Sequence, residues 1–420
     1  MNPERKLKTI RLGICVLIAF TVLASGGVEW WGVGVLEIGA ATLLFAWGIL
    51  AIRRQRVEIH WNWLYLPLLG ITALVAIQRI FGLSVYAYAT ETELLKGLAY
   101  IILCCLAAES FRTAKDRNLL AWFLITLSFA VSVFGIVQTF AFNGKLFWQF
   151  SLPDGAEPFG PFVNRDHFAG FVELTAPLGL AMLFNKAHRP DKTALLILCT
   201  FMPIVALLLS GSRGGIVGFT VATLVLVVFS RQRLAERKFV LATLALVVMA
   251  GTISLWLGAG AAAARFETIS PAGLTNSQRI AMDRDTWKIF LDHPLMGTGL
   301  GTLETVYPKY QSFYGKKIVG HAHNDYLELL AETGALGGVL RAGFIAVFLW
   351  TGIQNARSAE SATNRAFLAG SLGACSGLLV HSLVDFNLHI PSNALIFLLL
   401  ATLSCARIDA RVEPSEEEKT

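Results

Sequence analysis

Apolar residues along this 420-residue chain come in long unbroken runs separated by short polar stretches. Twelve runs stand out, at about 10–28, 32–51, 62–81, 92–111, 119–142, 166–186, 193–210, 214–230, 239–258, 325–352, 364–384 and 390–406. Each is near the roughly 20 residues that carry an α-helix across a ~30 Å hydrocarbon layer. They are apolar all round rather than alternating in ten-residue pieces, which predicts helices and not a β-barrel. The run at 92–111 is the most polar at its start, with Glu93 and Lys96. The basic N-terminus MNPERKLKTIR precedes an apolar run that is long for a signal peptide, and Ala24-Ser25-Gly26 is only a fair cleavage site. It is therefore read as an uncleaved first helix. The pattern predicts an all-α integral membrane protein of about twelve transmembrane helices, a single membrane domain over residues 1–420.

Composition agrees. The chain is 55% hydrophobic and 15% charged, with a mean hydropathy of +0.59, against about 25% charged residues in a soluble domain. A disordered chain and a secreted disulfide scaffold are excluded. The net charge of +6 and pI near 9.0 raise the question of nucleic acid, and the positions of the cations answer it. With the N-terminus inside, the inside segments hold 22 of the 35 lysines and arginines, the positive-inside pattern of a membrane protein. Both termini are then cytoplasmic, with 407–420 as a tail, and no nucleic-acid partner is expected. All six cysteines lie inside apolar runs, as small buried residues rather than disulfide or metal partners.

Three outside segments are too long or too polar to be mere connectors. The first, 143–165, carries five aromatics and three prolines, and the polar run Asn164-Arg165-Asp166-His167 closes it; aromatics at a membrane boundary ordinarily serve as interfacial anchors. The second is the turn Ser210-Gly211-Ser212-Arg213-Gly214-Gly215. Its arginine either snorkels or, with glycines clearing space around it, helps seat a bulky phosphate. The third, 259–324, is an outside loop of 66 residues between the ninth and tenth runs. It contains Arg265, then Asn276-Ser277-Gln278-Arg279 and an amphipathic helix in which Ile280, Trp287, Ile289 and Phe290 are apolar and Asp283, Arg284, Asp285 and Lys288 charged. The glycine-rich MGTGLGT follows. It superficially resembles a dinucleotide fingerprint, but no strand precedes it.

The loop closes on His321-Ala322-His323-Asn324-Asp325. A His-x-His pair fits a metal chelate, for which only Asp325 stands near as a third ligand. It fits equally a hydrogen-bonded structural pair, or a general base at the membrane face, since imidazole exchanges protons near neutral pH. Asp325, Glu328 and Glu332 follow at i, i+3 and i+7 on one helical face. Intramembrane carboxylates line polar interiors, so these are placed to hold the imidazole or to meet Arg213. His381, Asp385 and His389 form a second stripe at i, i+4 and i+8, read either as a site or as a cap and loop set.

Four pieces of this chain resemble the O-antigen ligase-related superfamily: LLSGSRGG at 208–215, SQRIAMDRDTWKIFLDHPLMGTGLGT at 277–302, HAHNDYLELLAETGALGG at 321–338 and DFNLHIPSNA at 385–394. GPFVNRDHFAGF at 160–171 is similar to bacterial polysaccharide members. The resemblance spans roughly residues 160–400 and implies a GT-C-like membrane glycosyltransferase with a large periplasmic loop between helices 9 and 10. Such an enzyme moves a glycan from undecaprenyl pyrophosphate to an acceptor hydroxyl on the periplasmic face of the bacterial inner membrane, with no cofactor and no metal. Residue by residue, it assigns Arg213 and Arg279 to the donor pyrophosphate and His323 to catalysis as base or hydroxyl-orienting group. His321, Asn324, Asp325, Glu328, Glu332 and Arg165 are supporting residues.

Physical chemistry fits that expectation. Guanidinium forks offset the charge growing on a pyrophosphate leaving group without a metal, and attack by a hydroxyl on the opposite side inverts the anomeric carbon. One base suffices, so the paired carboxylates of a glycosidase are not required. The acceptor expected is lipid A-core, as in an O-antigen ligase; alternatives are a lipid-linked glycan, as in a polymerase, or protein in an O-oligosaccharyltransferase. A transporter or flippase would show two similar halves with midplane sites, whereas the polarity here is concentrated in one late outside loop.

Overall fold

The computed structural model describes residues 3–54, 60–152, 156–229, 252, 276–313 and 318–408. Eleven of the twelve apolar runs are helical. They form α1 (Pro3–Leu23), α2 (Trp30–Arg54), α3 (Tyr65–Ile80), α4 (Ala87–Ser110), α5 (Ala114–Phe140), α6 (Arg165–Phe184), α7 (Thr193–Ser210) and α8 (Arg213–Phe229), then α10 (Asp325–Ser358), α11 (Ala362–His381) and α12 (Pro391–Cys405). Between α8 and α10 stands α9 (Asn276–Asp292), the amphipathic helix of the long loop. The ninth run at 239–258 lies outside the described residues apart from Thr252, as do Arg265 and most of the C-terminal tail. Among the described residues, five helices are long and apolar enough to cross a membrane: Trp30–Arg53, Ala114–Phe140, Arg165–Phe184, Pro190–Ser210 and Asp325–Ser358. The chain is a helical membrane protein.

Local chemistry sets the helix ends. Thr113 and Asp116 form a reciprocal capping box on α5, and Asn164, Asn324 and Ser361 cap α6, α10 and α11 through their side chains, each satisfying N–H groups that the first turn leaves unpaired. The most polar run is also helical, because Lys96 donates to Glu93 one turn away at 2.6 Å and the two charges enter the bundle as a pair. The first outside segment forms a small hairpin, β1 (Lys145–Leu146) with β2 (Phe150–Ser151).

The core gathers around α6, almost wholly buried and flanked by α5, α7, α8 and α11. Glycines make this closeness possible: a Cβ on Gly214, Gly215 or Gly218 of α8 would run into His381, Ala169 or Glu173. Gly214 and Gly215 of the SGSRGG turn therefore serve helix packing, while Gly211 ends α7 in a left-handed conformation.

One device was not visible in the apolar pattern. Helix α10 is broken at Gly334, whose φ is 63°. The segment after α9 enters the break: Ala335 and Leu336 donate to the carbonyls of Pro294 and Leu295, and Thr298 and Gly299 donate to those of Ala331 and Glu332. Gln78 of α3 adds a bond to the Glu332 carbonyl at 2.8 Å. The backbone groups freed by the break are thus satisfied by protein, as an apolar surrounding requires. Gly297 and Gly334 lie so close to the opposing backbone that a Cβ on either would collide with it. The MGTGLGT stretch is a docking loop for a broken helix.

Candidate active site

His323 stands immediately before the Asn324 cap of α10, in a left-handed conformation at φ 53°. That conformation is uncommon for a side-chain-bearing residue and persists only where its surroundings hold it. Its Nδ1 lies 3.2 Å from Oδ1 of Asp385, and its ring packs edge-on against Phe386 at 4.9 Å. With Nδ1–H donated to the carboxylate, Nε2 keeps its lone pair and has no partner among the described residues. The ring is 20% exposed and the Asp385 side chain 3%. Burial works to raise the Asp385 carboxyl, but the bond from His323 and the neighbouring imidazoles outweigh it and hold the carboxyl down at about 2. A buried carboxylate orienting an accessible imidazole is the arrangement that makes a histidine a directed base.

The turn carrying Asp385 is fixed from several sides. The backbone N–H of Asp325 donates to the carbonyls of Ser382 and Asp385, so the start of α10 caps the end of α11. Asn387 donates to Oδ2 of Asp385 at 3.3 Å and takes a 3.0 Å bond from Asn393. His381, buried in α11, places its Nδ1 2.8 Å from Glu173 of α6 and 3.3 Å from the Asn387 amide. His167 packs edge-on against Phe386 at 4.7 Å and sits 3.9 Å from Asp385. The stripe at 381, 385 and 389 is therefore not one helical face. The helix ends at His381, and its three members go to three different partners.

The His-x-His pair is divided in the same way. His321 turns to Oε1 of Glu328 at 2.8 Å and stacks on Phe386 at 4.3 Å, while His323 turns to Asp385. Glu328 also accepts from the Ala322 N–H at 2.8 Å and lies 3.3 Å from His389 Nε2. Asp325 meets His389 Nδ1 at 2.7 Å. Burial disfavours a charged His389 ring, but Glu328 and Asp325 outweigh it and push that ring up to about 9. Glu332 is taken by the docking loop, accepting from the Leu303 N–H at 2.8 Å. Of the carboxylates placed to hold an imidazole of the pair or to meet Arg213, Glu328 holds His321, Asp325 holds His389 and Glu332 holds the loop. None meets Arg213, and His323 is held by Asp385 instead.

The arginines approach from two sides. Arg279 is exposed on α9, and one turn on Asp283 feels the charges of both Arg279 and His323; partial burial raises its carboxyl against them. Asp283 thus stands between the loop arginine and the histidine, a residue the sequence reading noted only as charged. Arg213 opens α8 with its side chain exposed and no partner among the described residues. It is linked to the histidine through the wall beneath it, since Gly214 packs against the His381 ring, and Asn387 joins His381 to Asp385. Arg165, paired with Glu157 at 3.0 Å, has its guanidinium beside the Gly211 turn. Arg165, Arg213 and Asp325 all begin helices and His381 ends one, so they share one end of the bundle.

The sequence reading offered Asp385 only as one of a stripe that is either a site or a cap and loop set, and gave no part in it to Asn387, Glu173, His167 or Phe386. Phe386 touches three imidazoles, and the DFNLHIPSN stretch carrying it was the available signal. Among known families, residues 196–342 match the family model described as O-antigen ligase. The match takes in Arg213, Arg279 and the 321–332 residues, while Arg165 and Asp385 lie outside it. No curated protein matches the chain.

Proposed function

We propose, from the match of residues 196–342 to the family model described as O-antigen ligase, that this chain is a membrane glycosyltransferase of the O-antigen ligase-related superfamily. It takes a glycan from undecaprenyl pyrophosphate and joins it to an acceptor sugar hydroxyl on the periplasmic face of a bacterial inner membrane. The observation that carries this reading is His323, oriented by buried Asp385 and presenting an unpartnered Nε2 at the bundle end that also holds Arg213.

In the reaction, the acceptor hydroxyl attacks the anomeric carbon from the face opposite the pyrophosphate. The new C–O bond forms as the bond to the leaving phosphate oxygen breaks, inverting that carbon. The hydroxyl proton passes to His323 Nε2, and the imidazolium is balanced by Asp385. Arg213 and Arg279 take the negative charge that grows on the lipid pyrophosphate, so the transfer needs no metal. The twelve-span arrangement with both termini cytoplasmic, GT-C-like in layout, belongs to the same proposal and rests on the positive-inside pattern.

The acceptor we propose is lipid A-core, which makes the enzyme an O-antigen ligase. Deletion followed by a lipopolysaccharide gel tests it. Core without any O-chain, while polymer accumulates on the lipid carrier, is expected; core capped by a single repeat identifies a polymerase. Transfer by purified protein from an undecaprenyl-pyrophosphate-linked glycan, unaffected by EDTA and abolished in His323→Ala, is the direct assay. Silence after chelation, restored by one divalent ion, refutes metal-free transfer.

A further inference from the structure

Where the His321 ring lies on Phe386, three ligand-capable side chains converge: His321, Glu328 and His389 each bring a ligand atom within 4.8 Å of the other two. The carboxylate oxygen lies between the two imidazole nitrogens, at 2.8 Å from one and 3.3 Å from the other. Ligand atoms about 2.0–2.1 Å from one tetrahedral ion are separated by roughly 3.3 Å, so small shifts bring all three onto a common centre.

Each ligand is also held from behind. His389 gives its Nδ1 to Asp325 at 2.7 Å, which directs the Nε2 lone pair inward. Glu328 has its second oxygen occupied by the Ala322 N–H at 2.8 Å, which leaves Oε1 free to bind singly. His321 lies flat on Phe386, the two rings 18° apart. Carboxylate–histidine–metal relays of this kind fix tautomer and ring direction at metal sites. Access is one-sided: the Glu328 side chain is 2% exposed and His389 13%, while His321 is 38% exposed.

We propose that His321, Glu328 and His389 bind a divalent transition-metal ion, zinc by preference, with Asp325 orienting His389 and one coordination position open to water. Two imidazoles and one carboxylate favour zinc over magnesium or calcium, which prefer all-oxygen shells. The ion's charge is balanced by Glu328 as ligand and by Asp325 behind His389. It joins three segments that are distant in sequence: the end of the long loop at His321, the first turn of α10 at Glu328 and the α11–α12 turn at His389. Its role is to clip the histidine loop to the bundle, two residues from His323. His323 itself belongs to Asp385, so the transfer proposed above is not routed through the ion. The inference stands independently of that reading.

The test uses the full chain, purified through a tag without histidine, stripped with EDTA and dialysed against zinc sulfate. About one tightly held zinc per chain is expected in the wild type and in His323→Ala, and less than about a fifth of that in His321→Ala and His389→Asn. Zinc is expected to raise the unfolding temperature of the wild type and His323→Ala but not of His321→Ala. His321 is the most exposed ligand, and equal unfolding temperatures of wild type and His321→Ala in EDTA show that the fold survives its loss. Cobalt chloride in place of zinc is expected to give the intense visible bands of a four- or five-coordinate ion, absent in His321→Ala. A wild type that retains no zinc, or a His321→Ala variant that retains as much as wild type, overturns the site. Loss of zinc in His323→Ala equal to that in His321→Ala overturns the separation of the two histidines. A chain that transfers glycan but holds no zinc refutes the metal site alone; one that holds zinc but transfers nothing refutes the transfer reading alone.

Discussion

Replacing Asp385 with asparagine removes a charge while keeping the shape of the wall beneath His323. The amide oxygen still accepts from His323 Nδ1, now 3.2 Å from a carboxylate oxygen, so the ring keeps its place. What is lost is the counter-charge to the imidazolium formed as the acceptor hydroxyl gives up its proton. Two unit charges about 4 Å apart interact by roughly 4 kcal/mol at an effective dielectric near 20. The 20% exposure of the His323 ring discounts this to about 3 kcal/mol, a loss on the order of 100-fold in rate. Neutral imidazole carries no such charge before proton transfer, so the loss falls on kcat and not on donor binding. Steady-state transfer from an undecaprenyl-pyrophosphate-linked glycan, with kcat and KM resolved and donor binding measured separately, reads the effect. A kcat within about threefold of wild type, or a defect confined to KM, refutes the dyad.

His323→Ala is expected to abolish transfer with donor binding retained, and His321→Ala to be milder, because the two rings sit on different carboxylates; the same assay checks both. Arg213→Lys and Arg279→Lys keep the charge but lose the planar fork, so each is expected to cut transfer roughly 30- to 1,000-fold in folded protein, and full activity in both rejects the pyrophosphate clamp. Gly334→Ala forces a side chain into a left-handed position against the Leu295 backbone and is expected to destabilise by about 3 kcal/mol or more, read as a fall in unfolding temperature. Asp385 has its carboxyl held at about 2, below its ordinary ~3.9, so its contribution to stability is present above that ordinary value and is lost as pH falls from about 4 through 2; acid unfolding of Asp385→Asn is expected to be less steep there.

The helices were legible because length and unbroken apolarity suffice to predict a span, and neither depends on tertiary contacts. Legibility failed wherever a helix stopped or broke inside an apolar stretch. The run 325–352 reads straight through Gly334, since an interruption in φ leaves no mark on hydropathy; only the glycine spacing on both sides of the contact, at 297 and 334, carries a trace of it. Counting at i, i+4 and i+8 through 381, 385 and 389 assumed a helix that ends at His381, and so hid that Asp385 faces His323 across 62 residues. The same limit left the partners of the α10 carboxylates open. A local face said rightly that Asp325, Glu328 and Glu332 point together, but which imidazole each meets is decided by how the α11–α12 turn folds over the start of α10. The residues proposed to carry chemistry, His323, Arg213 and Arg279, stood out because such groups at the edge of apolar runs are costly without a role. The residues that orient them, Asp385, Asn387 and Phe386, sit in a turn where polar and aromatic side chains are ordinary. Their importance comes from three helix ends meeting at one place, which no single segment of the chain encodes.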